Sequence, residues 1–318
     1  MSDSDSDSPP RTLDVATVGS AVVDRLYSLT NLPEPDGGAF ARAESTAVGG
    51  VAANVAAALA ELGRETGVVA RLGGGEDGER VLADLRERGI DAARVRRGDE
   101  RTSYAMVFRD PEGERMIVAG GESVLNLRID ADDLAYLREA DAVFTSAYAP
   151  DPAGRALADA ASENADLPPL VFDLAGPLEE LEDRGARPET VDDLVAASDL
   201  VVSSEVPIRS YLGVGPREAL RELRARGVDR AAVTLGADGA LLLADGEILD
   251  VPAFEVDAVD TTGAGDAFTA GLLDAWLLGG KSPEEAGRFA AATAALNCTG
   301  EGARGGLPSR AAVRNLLD

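Results

Sequence analysis

Histidine is absent from this chain of 318 residues, cysteine and lysine each occur once (Cys298 and Lys281), and aromatic residues make up only 4 %. Each scarcity removes a class of chemistry. Without histidine there is no Ser-His or Cys-His nucleophile and no imidazole metal ligand. One cysteine excludes an intramolecular disulfide and a cysteine-based zinc site. Proton transfer must then rest on Asp or Glu, and a bound metal would be a hard, oxygen-ligated ion such as Mg²⁺. No apolar run approaches the length of a transmembrane helix, and no cationic segment precedes an apolar one at the N-terminus. A cytoplasmic protein that does not enter a membrane is the expectation. With few aromatics, the 45 % hydrophobic content must form its core from Ala, Val and Leu.

What is abundant is negative charge. The formal net charge is −27, from 57 acidic against 30 basic residues, and all of the basic residues except Lys281 are arginine. Such a surface repels nucleic acid and anionic membranes. It also repels itself at low salt. The acid-rich, lysine-poor balance resembles that of proteins from halophilic archaea, which live with a cation-rich cytosol. Residues 1–11 carry alternating Ser and Asp and little apolar content, so an acidic, disordered tail is expected there.

The rest of the chain alternates strand and helix. Leu13–Val18 is a β-branched run ending at Gly19, read as a buried first strand. Strand–helix pairs follow at 67–72 with 79–88, 142–146 with 152–163, 170–173 with 189–196, and 200–203 with 215–226. A hairpin from 231 to 251 and helices over 267–278, 283–298 and 309–317 complete the chain. Repeated strand–helix units predict an α/β fold with a mostly parallel sheet covered on both faces. Ligands then collect beyond the carboxyl ends of the strands. Residues 39–47 and 102–119, with a turn at Asp110-Pro111-Glu112-Gly113, read as a separate small sheet.

The most informative segment is Asp260-Thr261-Thr262-Gly263-Ala264-Gly265-Asp266, which opens directly into an apolar helical run. A glycine-rich turn at a helix N-terminus leaves N–H groups free to bind an anion. A carboxylate inside that turn would repel a resting phosphate, so its presence needs a chemical reason. Asp266 taking a proton from a hydroxyl, while the N–H groups of Gly263, Ala264, Gly265 and Asp266 hold the phosphoryl group under attack, supplies one. Asp260 is read as shaping the loop or lying near a cation. Two other glycine patterns are set aside. Gly73-Gly74-Gly75-Glu76-Asp77-Gly78 puts two acids where a pyrophosphate would sit. Gly280-Lys281-Ser282 has Ala275 where a P-loop needs glycine, and follows a helix.

The 260–266 segment resembles the C-terminal signature of the ribokinase-like (PfkB) carbohydrate kinases. Gly49-Gly50-Val51-Ala52-Ala53-Asn54, about 210 residues earlier, resembles that family's sugar-binding segment. The likeness runs from about Leu13 to the end. It implies a three-layer α/β/α core with a small β-lid from 39–47 and 102–119, together one kinase domain over 12–318. It also implies ATP and Mg²⁺ as cofactors, with K⁺ or Na⁺ as a further cation, and dimers formed through paired lids. Asp24, Gly49, Gly50 and Asn54 would bind the acceptor. Thr234, Gly236, Gly239 and Asn297 would meet the nucleotide, Asn297 near the purine. The family's Asn-x-x-Glu metal segment is altered here to Ser204-Glu205-Val206-Pro207, which leaves Glu205 as the acidic candidate for metal. The implied activity is ATP-dependent phosphorylation of a hydroxymethyl group on a small sugar. A nucleoside, a 2-keto-3-deoxy sugar acid, or a non-catalytic sugar or nucleotide sensor are the alternatives. Arg101, Arg109 and Arg115 on the lid would suit an anionic acceptor, and Arg304 is read either as a substrate contact or as a loop salt bridge.

Overall fold

The computed structural model describes residues 13–162 and 167–318; the tail expected at 1–11 lies outside them. Strands β1 (Leu13–Val18), β2 (Val22–Leu29) and β3 (Ala41–Gly49) lead into helix α1 (Val51–Glu61). Then come β4 (Thr66–Gly74), α2 (Glu76–Glu87), β5 (Val95–Arg101), β6 (Tyr104–Arg109) and β7 (Arg115–Gly120). Helix α3 (Ala131–Leu137), β8 (Ala140–Ser146), α4 (Asp151–Ser162), β9 (Leu170–Asp173), α5 (Leu178–Asp183) and α6 (Pro188–Ala197) continue the chain. It closes with β10 (Leu200–Ser204), α7 (Glu205–Leu212), α8 (Pro216–Ala225), β11 (Ala231–Thr234), β12 (Ala240–Ala244), β13 (Glu247–Val251), α9 (Ala264–Leu272), α10 (Pro283–Asn297) and α11 (Arg310–Leu317).

Nine strands form one sheet in the order β13-β12-β11-β10-β9-β8-β1-β4-β5. All its pairings are parallel except the two that add β12 and β13. The central strands read as unbroken apolar runs because both of their faces are covered. Along β8, Val143 packs into the cluster that holds Leu157 of α4, Leu194 of α6 and Leu220 of α8. Its neighbours Ala142 and Phe144 point the other way, to Leu59 of α1, Phe268 of α9 and Val313 of α11. The three layers expected from the alternation of elements are therefore present.

From β1 the chain builds outward in both directions, to β4 on one side and β8 on the other. That reversal opens a crevice at the carboxyl ends of these strands. The segment leaving β1 does not remain a loop. It becomes β2, one of the two inner strands of the second sheet, ordered β3-β2-β6-β7. Sequence reasoning assigns only 39–47 and 102–119 to this lid. The β2 sequence VVDRLYSL mixes charge and apolar residues on both faces, so period-2 alternation is faint. β5 (VRRGDER) escapes the same reasoning for a related cause: it is a charged edge strand, held by ion pairs such as Arg71–Glu100 and Arg97–Glu79 rather than by apolar burial.

The helix expected over 267–278 is α only to Leu272 and widens into a π turn over Leu273–Leu278. This turn carries Asp274, fully buried, between Arg64 (2.6 Å) and Arg310 (2.6 Å). The two glycine segments that were set aside have structural reasons to exist. A Cβ on Gly73 would overlap the backbone of Glu100, so glycine lets β4 and β5 approach. Ser282 caps α10 in a reciprocal capping box with Glu285. Among the described residues no helix is long and apolar enough to cross a membrane.

Candidate active site

Gly263 caps α9 in a left-handed conformation (φ 74°), and a Cβ there would strike Ala303 O, so the turn demands glycine. Gly265 has no such backbone strain and faces open space. Its value is access rather than conformation. Ala264 N–H is taken by Thr261 O at 3.2 Å, which corrects its expected place in the anion hole. The N–H groups of Gly263, Gly265 and Asp266 have no hydrogen-bond partner among the described residues and lie at the positive end of the α9 dipole.

Asp266 points from this turn towards the start of α1. Asn54 Nδ2 donates to its Oδ2 at 2.8 Å, joining the two motifs that lie 212 residues apart in sequence. Gly49 and Gly50 make the approach of β2 feasible. A Cβ on Gly49 would overlap the Asp24 carboxylate, and one on Gly50 (φ 94°) would overlap Ser20 O. Burial pushes the Asp24 carboxyl up to about 6, against the pull of Arg304. Burial also pushes Asp266 up to about 7, although the Asn54 hydrogen bond and Arg304 favour its charged form and Asp24 opposes it. An ordinary aspartate is fully ionised at neutral pH; this one is poised near it, where a base works best.

Two residues in this cluster were missed or undervalued by sequence reasoning. Asp173 ends β9, is buried, and is raised to about 7 by burial and then by the Asp266 charge. The available signal was an acid terminating an apolar strand on the ligand-binding edge of the sheet. Arg304 makes the salt bridge that was one of its two readings, its Nη1 pairing with Asp84 of α2, and its Nε donates to Asn54 Oδ1 at 2.7 Å.

On the other side of the α9 turn lies a cleft of about 1050 Å³. Thr234, Gly236 and Gly239 line it, with Phe254, Ala264, Gly265, Ala294 and Cys298. Gly239 (φ 91°) is another position where a Cβ would overlap backbone, at Val251 O. Asn297 is not part of this wall, contrary to expectation. It is fully buried, and its Nδ2 donates to Ala303 O (3.1 Å) and Thr262 O (3.4 Å), tying the 260–266 turn to the 301–305 loop. On α10 it faces inward while Ala294 and Cys298 line the cleft. Glu205 starts α7, is exposed, and pairs with Arg209 at 2.8 Å; it lines neither the cleft nor the Asp266 cluster.

The lid reaches the same turn. Arg109 pairs with Asp260 at 2.6 Å, and Arg115 Nη1 donates to Thr262 Oγ1 at 3.4 Å. Burial pushes Asp260 up, but hydrogen bonds from Thr262 N–H, Arg109 and Gly302 N–H outweigh it and hold the carboxyl below its usual range. Arg101 lies over the Tyr104 ring at 4.3 Å.

A family model described as "pfkB family carbohydrate kinase" matches residues 12–310. The chain is 33 % identical to an ATP-dependent ribose-1-phosphate kinase of Halopiger xanaduensis, over 91 % of this chain and 93 % of that protein. It is 31 % identical to a ribokinase of Arabidopsis thaliana, over 98 % of this chain and 82 % of that one. The solved structure of Arabidopsis thaliana ribokinase complexed with ribose and ATP aligns with a TM-score of 0.83 at 29 % identity, covering 97 % of this chain and 99 % of that chain. With a large, mostly parallel sheet, a lid, and a match over nearly its whole length, this chain belongs to the PfkB family of carbohydrate kinases.

Proposed function

We propose that this kinase transfers the terminal phosphoryl group of ATP to the hydroxymethyl group of a small sugar bearing a ribosyl unit. ATP would occupy the cleft beside Gly236, Gly239 and Gly265, its terminal phosphate against the N–H groups of Gly263, Gly265 and Asp266. The acceptor would lie under the lid, its ring hydroxyls on Asp24 and Asn54. Asp266 takes the hydroxyl proton, the oxygen bonds to phosphorus, and the bond to the leaving ADP oxygen breaks. The observation carrying this reading is the Asn54–Asp266 contact, which sets an aspartate near neutral pKa between the cleft and the acceptor residues. The ribosyl preference draws on relatives named for ribose and ribose 1-phosphate.

Among the described residues, no three acidic, histidine or cysteine side chains converge as a metal cage. The residues therefore fit Mg²⁺ that arrives on the ATP phosphates, where it neutralises charge, rather than a protein-held ion. K⁺ or Na⁺ is proposed as a further cofactor cation of this acidic, halophile-like protein of the cytoplasm. A homodimer is proposed through the lid.

ADP release from ATP and Mg²⁺ in molar KCl, across ribose, ribose 1-phosphate, fructose, 2-keto-3-deoxygluconate and nucleosides, tests the reading. Turnover is expected with at least one acceptor, falling about 10²–10⁴-fold in Asp266→Asn. Turnover by that variant at the wild-type rate removes Asp266 from its role. Tight binding without turnover would instead mark a sensor.

A further inference from the structure

A hydrogen-bonded chain leads away from Asp266. Beyond Asn54 stands Arg304, and beyond Arg304 stands Asp84. Asp84 lines a second cleft, of about 970 Å³, walled by α2, the end of β3 and residues 301–305. The Arg304 side chain is only 6 % exposed, and its Nη2 also reaches Gly49 O at 3.5 Å. A guanidinium can only donate and a carboxylate can only accept. An amide between them has one satisfied orientation, Oδ1 to Arg304 and Nδ2 to Asp266. Turned over, it would set donors against donors and lone pairs against lone pairs. A protonated Asp266 could donate as well as accept and so tolerate the turned amide, whereas Arg304, which only donates, holds the same orientation in both protonation states.

We propose that Arg304, anchored by Asp84, is a positioning residue that locks the Asn54 amide with its NH₂ group turned to Asp266. This rests on the reading of Asp266 as the base. The groups facing Asp266 are Asn54 from α1, Asp24 from β2, Asp173 from β9 and Arg304 from the 301–305 loop. Of the two acids, Asp24 resists its ionisation and Asp173 is itself raised by the Asp266 charge. Arg304 supplies the opposing positive charge and, through Asn54, the donor that the carboxylate needs. The same chain connects the base to the α2 cleft, on the side of Arg304 away from the catalytic turn.

The test uses the full chain, ¹⁵N-labelled and ligand-free, with the Asn54 side-chain NH₂ resonances assigned by their loss in Asn54→Asp. In wild type these resonances should titrate with Asp266 near neutral pH, and the titration should vanish in Asp266→Asn. Arg304→Met should move the midpoint up by about one pH unit. With the acceptor that turns over, the acid limb of the kcat profile should follow, cutting kcat about tenfold below neutral pH and recovering in base, with KM for ATP little changed. Asp84→Asn should lower kcat at every pH without raising the midpoint, because it frees Arg304 while keeping its charge. Should Arg304→Met not fold, Asp84→Asn decides. Wild-type midpoint and kcat in the folded variants overturn the proposal. Full turnover by Asp266→Asn overturns the base reading, and the catalytic consequence proposed here with it. The acceptor-free titration still reports the Asn54 lock by itself.

Discussion

Asp24, Asp173 and Asp266 are carboxyls whose pKa values burial raises to about 6, 7 and 7. An acid whose folded pKa lies above its unfolded value near 3.8 holds its proton more tightly when folded. Between about pH 4 and 7 the unfolded chain ionises first, so this group lowers stability as pH rises and its effect is complete above the folded pKa values. Asp266→Asn removes one of these acids and relieves Asp173. Its melting temperature should therefore exceed wild type by more at pH 8 than at pH 5, measured in the same high salt. An equal or reversed difference would mean Asp266 carries no burial penalty. Of the residues here, Asp266, Asn54 and Asp24 were legible because each sits in a motif with glycines that geometry requires. Asp173 was not, since its environment comes from burial and from Asp266, a neighbour contributed by distant α9. Asn297 misled for the converse reason: its place on a helix beside the cleft could be read, but not the face it turns.

At the scale of elements, the outer strands of the lid, β3 and β7, are largely exposed. On β7, an edge strand, Met116, Ile117 and Val118 are 44 %, 49 % and 42 % exposed, and Phe40 just before β3 is 82 % exposed. Edge strands with apolar surface invite pairing with another chain. Two lids packing there would form the dimer proposed above. Sedimentation in molar KCl should show a dimer that Ile117→Glu converts to a folded monomer, whereas a monomeric wild type at micromolar concentration would refute it. The strands of the large sheet were readable because burial on both faces makes them continuous apolar runs. β2 and β5 were not, because one is half-wet and the other is charged. Short α3, α5 and α7, of 7, 6 and 8 residues, offer too few turns for a helical period to show.

Across the whole molecule, charge governs behaviour in solution. A net charge of −27 on this chain is screened over about 3 Å in 1 M salt but over about 30 Å at 0.01 M. Many of its arginines are already committed to ion pairs, as around buried Asp133 and Asp274, so the excess acids repel one another across the surface. Melting temperature should fall on desalting below about 0.5 M KCl. A value unchanged by desalting would contradict adaptation to a salt-rich cytosol.

The amino-acid order by itself determined the alternation of strands and helices, the two glycine turns, and the exclusion of histidine and cysteine chemistry. Those properties are local: they depend on period, on backbone freedom and on which side chains exist. Tertiary structure decided that β2 became an inner strand of the lid, that Asn297 turned inward, and that Arg304 came to rest between Asp84 and Asn54. Each of these depends on contacts between segments far apart in the chain, and no local pattern records which distant partner satisfies a buried charge or amide.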